Sequence, residues 1–183
     1  MTPHEQSAYE KAMKLAVASG LRCAMGPAFL AQSEKSKHRG LMALAAIGEL
    51  GFDKIPGVPS RRSLALLIPR AISGAYSAHK MIQAQGLNDP LAAPMGAVVA
   101  AGTATVAPIV RGVLRRVLGL PDIYIGLAED YLALKLGSEA VGMSWSDVKN
   151  VGEEAVTELK EAVLPAEAEH GHLQSTGFSA SSI

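Results

Sequence analysis

Cysteine is almost absent from this chain: Cys23 stands alone among 183 residues, which excludes an internal disulfide and a thiolate zinc site within one chain. Aromatic residues are nearly as scarce, at 4% with a single Trp. Basic residues interleaved with stacking rings, the mark of a nucleic-acid surface, are therefore missing, and the Trp/Tyr girdles common at membrane interfaces are thin. No Gly-rich phosphate loop, G-x-S-x-G elbow, H-E-x-x-H or dinucleotide fingerprint occurs, so no motif supports an enzymatic activity and no cofactor is expected. No basic n-region precedes the first apolar stretch and no small-residue cleavage site follows it, so the first helix is expected to be retained.

Net charge is also lacking, but only in the sum. Residues 1–138 carry 15 basic and 9 acidic side chains, whereas residues 139–183 carry 2 and 8. The two regions are of opposite sign, and the division falls where hydrophobicity drops. The expectation is a helical membrane domain over 1–138, followed by an acidic amphipathic helix and a disordered tail over 139–183. Spread rather than clustered, the basic residues of the first region suit anionic lipid heads better than nucleic acid.

What the chain has in quantity is Ala, Leu, Val and Gly, with 49% apolar residues. Tyr9 to Ser33 reads as a helix with Arg22 inside its apolar run and a kink at Gly26-Pro27, because proline lacks an amide donor and disfavours helical geometry in the residue before it. Gly40 to Phe52 is too short to span ~30 Å of hydrocarbon at ~1.5 Å per residue. Ser63 to His79 carries Pro69-Arg70 and then Ser73-Gly74, a small-residue surface suited to close helix contact. Gly86 to Pro90 is a turn. Pro90 to Val110 is a run of 21 uncharged residues, long enough to cross a bilayer, with Arg111, Arg115 and Arg116 expected just past its end. Ile123 to Leu136 reads as a further helix carrying Glu129-Asp130, and Ser144 or Ser146 as the cap of a last amphipathic helix that Pro165 stops. The expected fold is all-α, a polytopic helical membrane protein with short or broken helices.

An internal repeat is a further reading. Ala18-Ser19-Gly20 followed by Pro27 echoes Ala100-Ala101-Gly102 followed by Pro108, and Glu49 and Glu129 follow at similar distances. Matched halves with interrupted helices occur in secondary transporters. In a chain this rich in Ala, Gly and Pro, composition alone also produces such echoes.

Several stretches resemble one family. They are Ser19-Gly20-Leu21-Arg22, Gly48-Glu49 through Asp53-Lys54-Ile55-Pro56, Pro59-Ser60-Arg61, Arg70 through Ser73-Gly74-Ala75, and Leu120-Pro121-Asp122 leading to Ala128-Glu129-Asp130. Together, over about residues 13 to 137, they are similar to the uncharacterised bacterial membrane-protein family catalogued as domain of unknown function 4126. The resemblance implies a multi-pass protein of the bacterial inner (cytoplasmic) membrane and no established activity.

Ionised groups at membrane depth cost about 2.5 to 3.5 kcal/mol each on insertion scales, so they should face a cavity, water or a partner. Arg22, Glu49, Asp53, Lys54, Arg70, Glu129 and Asp130 form the candidate polar cluster, with Arg22 and Arg70 neutralising some of the carboxylates. The plainer reading puts the acids at wet helix ends, paired with Arg61 or Arg62. Coordination of a hard cation by the four carboxylates is a third, weaker reading. Arg111, Arg115 and Arg116 are candidate lipid-head contacts, although basic residues at a helix end also mark ordinary topology. His170 and His172 lack further ligands at fixed spacing, so no metal site is expected. The expected function is a small transport or permeation pathway for an unidentified solute or ion, in contact with the lipid bilayer and with a second copy of the chain as an admissible partner. The alternatives are a scaffold that uses its acidic tail, a soluble Ala-rich bundle, and an intramembrane enzyme using Glu49, Asp53 and Glu129 with a metal.

Overall fold

The computed structural model describes residues 1–52 and 64–163. Among them are seven helices and no strand: α1 Pro3–Leu21, α2 Met25–Ser33, α3 Arg39–Phe52, α4 Leu64–Ala84, α5 Ala92–Leu118, α6 Asp122–Val141 and α7 Trp145–Val163. The chain is all-α over these residues.

The start of α1 is set by its sequence. Thr2 accepts the amide of Glu5 at 3.2 Å while the Glu5 carboxylate accepts the Thr2 amide at 2.6 Å, and Pro3 fills the first helical position, where no donor is needed. Pairings along α1 fix its neighbours. The Tyr9 hydroxyl donates to Asp89 and Gly20 abuts Ala100, so α1 runs parallel to α5. Lys14 reaches Glu139 at 3.3 Å and Arg22 reaches Asp130, so α6 runs antiparallel to it. Ser19 lies 3.4 Å from Ser77, and the Ser73 hydroxyl donates to the Cys23 carbonyl, which sets α4 antiparallel as well.

α1 is thus the central helix, and its buried side is made of Ala8, Ala12, Leu15, Ala16, Ala18 and Ser19. Small side chains let backbones approach. A Cβ added to Gly74 would lie 2.6 Å from the Gly96 carbonyl oxygen, and one added to Gly20 would lie 2.5 Å from that of Ala100. The small surface at Ser73-Gly74 therefore meets α5. The turn between α4 and α5 falls at Gly86, whose φ of 75° is left-handed.

Three boundaries differ from expectation. The first apolar segment does not bend at Gly26-Pro27; α1 stops at Leu21 and α2 starts at Met25. Pro27 sits in the first turn of α2, where a missing amide costs nothing, so the break is displaced to Arg22–Ala24. α5 does not stop at Val110 but continues through 27 residues to Leu118, taking Arg111, Arg115 and Arg116 into the helix. α6 runs to Val141, across the division placed at 138/139, and ends at left-handed Gly142. α7, capped by Ser144, packs its Val148, Val151 and Gly152 side toward Ala43, Ala46 and Ile47 of α3.

The echoed halves fold differently. The helix around Pro27 is broken, whereas α5 passes through Pro108 without interruption. Among the described residues one helix, α5, is long and apolar enough to cross a membrane, with a mean hydropathy of 1.7 over its best stretch and only 11% of that stretch buried. No second helix joins it: α1 carries Glu5, Glu10, Lys11 and Lys14, α3 has 14 residues, and α6 holds Glu129, Asp130 and Lys135. Multi-pass crossing is thus not supported by helix length and composition.

Candidate functional site

A helix break leaves amide donors and carbonyl acceptors without helical partners. At Arg22–Ala24 those groups lie largely inside the protein, and side chains from two other helices meet them. The amides of Cys23 and Ala24 each donate to one oxygen of the Glu49 carboxylate, on α3, at 2.8 Å. This carboxylate acts as the cap that α2 lacks, since no side chain caps the helix locally. Arg70 of α4 approaches the same carboxylate at 3.6 Å and donates to the Leu66 carbonyl at 3.1 Å. Ser73, one turn further along α4, satisfies the Cys23 carbonyl.

The other face of the break is formed by Arg22 and Asp130. The Arg22 Nε donates to the Asp130 carboxylate at 2.7 Å, and a terminal nitrogen of the guanidinium donates to the same oxygen. Arg22 is 2% exposed and is the largest fully buried side chain in the described protein. A buried guanidinium is tolerable only when paired and hydrogen-bonded.

Of the candidate cluster, Arg22, Glu49, Arg70 and Asp130 meet at the break as two ion pairs. Among the described contacts Glu129 belongs to another pair. It faces Arg111 at 3.4 Å, and Arg111 also grips Asp122 at the start of α6 at 2.6 Å. Arg111 is therefore paired with two carboxylates of α6, because five fixed donors on one plane suit two neighbouring carboxylates. Arg115 and Arg116 stay exposed on the last turns of α5. Asp53 and Lys54, like Arg61, Arg62, Pro165, His170, His172 and the expected disordered tail, lie outside the described residues. Among the described residues no group of three or more His, Cys, Asp or Glu is gathered as a cation would need.

Two clefts open beside these pairs. One, about 670 Å³, reaches the break itself and is lined by Cys23, Ala24, Pro27, Glu49, Ser73 and Tyr76 among others. The second, about 500 Å³, lies between α5 and α6, with Val106, Val110, Leu114, Ile125 and Leu132 along it and Arg111–Glu129 on its wall. A third, about 860 Å³, lies between the start of α1 and the α4–α5 turn, away from the buried charges.

Residue types and apolar context pointed to the four charged members of the site. Ser73 and the two amides did not stand out, because the break was expected at Pro27 and Ser73 reads as a packing residue. An acid in an otherwise apolar short helix near a broken one is the signal that could have paired Glu49 with them. No family model matches the chain, nor does any curated protein or solved structure.

Proposed function

We propose that this chain is a multi-pass helical protein of the bacterial inner membrane, related to domain of unknown function 4126, and that it forms a small permeation or transport pathway at the break between α1 and α2. One observation carries this reading. Irregular backbone whose amides are capped by a carboxylate, two arginines and a second carboxylate converge at a single largely buried point, beside a cleft that opens to the surface. At membrane depth, broken backbone is tolerated only where protein buries it or a cavity receives it. Charges there mark ion and substrate paths, and interrupted helices form the central sites of small transporters.

The paired charges reduce the cost of placing α1, α4 and α6 beside α5 in hydrocarbon. A solute in the 670 Å³ cleft would meet the Glu49 carboxylate on its wall and would compete for it with the buried Arg70 guanidinium behind. The exposed apolar length of α5, with Val98, Ile109 and Val117 each at least half exposed, weighs against a soluble monomeric bundle. The scaffold reading has less to stand on, because the apolar side of α7 already faces α3.

The test is fractionation of the tagged full chain with an alkaline carbonate wash, then reconstitution into liposomes loaded with a pH-reporting dye. The protein should stay in the pellet, and both Glu49→Gln and Asp130→Asn should change proton or potassium-driven flux relative to the parent. A chain that washes into the supernatant ends the transport reading, and unchanged flux in both variants removes the acids from it.

A further inference from the structure

The cleft between α5 and α6 is not used by the pathway; it is mainly apolar, with the Arg111–Glu129 pair on its wall and Arg115 and Arg116 beyond its end. Its length is apolar, formed by Val106, Val110 and Leu114 on α5 and Ile125 and Leu132 on α6. Its volume of about 500 Å³ falls within the ~300–1,000 Å³ of ordinary ligand sites. It is continuous with the uncovered face of α5, where Ile109, Val113 and Val117 are all about half exposed or more.

The far end is basic. Arg111 is held across the cleft by Asp122 and Glu129, and Arg115 follows it by one turn on the same side of α5. Arg115 and Arg116 are exposed, and no hydrogen bond or ion pair among the described residues engages them. An occupant with a long apolar part and one anionic head matches both ends.

From this we infer that the α5–α6 cleft is a binding site for one anionic phospholipid, its acyl chain along Val106, Val110 and Leu114 and its phosphate at Arg115 and Arg116. The site rests on the membrane reading above and goes beyond it, because bulk lipid needs neither a cleft nor selectivity for charge.

The experiment is native mass spectrometry of the full chain in detergent with added phosphatidylglycerol or phosphatidylcholine. The parent should retain one phosphatidylglycerol per chain at concentrations about thirtyfold below those needed for phosphatidylcholine, the ratio that two arginine contacts at ~1 kcal/mol per basic residue near an anionic surface give. Val110→Trp, which fills the cleft, should abolish retention of both lipids. The surface pair Arg115→Gln and Arg116→Gln leaves the core untouched and should erase the preference while the phosphatidylcholine level stays. Equal retention of the two lipids by the parent, or retention of phosphatidylglycerol by Val110→Trp with its circular dichroism unchanged, overturns the site. Dimers in place of lipid adducts overturn it as well and make a second copy of the chain the occupant. The carbonate wash is read separately: a chain that stays in the pellet without lipid selectivity sinks this site alone.

Discussion

Arg22 is a large cation in a core made mainly of alanine, and the Asp130 pair makes that placement tolerable. Removing one member of a buried pair takes a partner from the other while it stays charged, at about 3–5 kcal/mol, whereas replacing both by apolar residues of similar volume is often neutral. Arg22→Met should therefore destabilise the protein strongly, and Arg22→Met with Asp130→Leu should recover most of the loss, measured by thermal unfolding in a fixed detergent. If the double variant is as unstable as the single one, the pair does more than balance its own burial. Glu49 differs in kind, since it serves two backbone amides. Glu49→Ala strands both, each worth about 1–3 kcal/mol when buried, while Glu49→Gln keeps an acceptor and should cost clearly less. Equal losses in the two would show that the Arg70 pair, not the amide cap, carries the contribution. The sequence exposed these residues because an Arg or Glu inside an apolar run is costly and so conspicuous. It did not disclose who pairs with whom, because Glu129 and Asp130 are adjacent in sequence yet face different helices.

Among the helices, the crossing of α4 and α5 depends on Gly74 and Gly96, where an added Cβ would meet backbone. Neither backbone can yield without moving its helix. Gly74→Leu should separate the pair and cost at least about 1–3 kcal/mol, the usual range for overpacking. Gly102, on the same helix α5, has nothing within 4 Å of its added Cβ, so Gly102→Ala should be neutral or slightly stabilising, since alanine exceeds glycine in helix preference by ~1 kcal/mol. A similar loss in both variants would locate the glycine effect in the helix itself and not in the crossing. At α7 the cap is electrostatic. The Ser144 hydroxyl, at 2.7 Å, and then its amide, at 2.8 Å, donate to the Asp147 carboxylate and hold its pKa below the usual value. A carboxylate with a depressed pKa contributes stability that is complete above its unfolded pKa and is lost as pH falls through the folded one. Amide exchange at Trp145 to Val148 should therefore speed up on acidification below the ordinary Asp range, relative to mid-helix α7 amides. Ser144→Ala should remove that pH dependence, and exchange that ignores pH in the parent would dismiss the cap.

For the whole molecule, helix content and most turns were legible, because Gly86–Pro90 and Gly119–Asp122 are strong chain breakers and the apolar runs lie between them. The packing was not legible, since an Ala-rich chain offers little periodicity to say which face is inside. α5 shows why: composition marks it as apolar, yet most of its long stretch is uncovered by the rest of the protein. That uncovered face yields the most general test. Ile109 is 50% exposed and lines neither the α5–α6 cleft nor the break. In water an exposed Ile→Asp change alters stability by no more than ~0.5 kcal/mol and relieves an apolar patch, so the Ile109→Asp chain would accumulate normally and become more soluble. In hydrocarbon the same aspartate costs about 2.5–3.5 kcal/mol near a helix centre, so the variant should lose membrane retention in the carbonate wash and be degraded. Val156→Asp, on the partly exposed face of α7, is the control that both situations tolerate. Loss of retention in Ile109→Asp alone fixes hydrocarbon against α5. Equal behaviour of the two variants places that face in water, and the break between α1 and α2 then becomes the polar core of a soluble bundle.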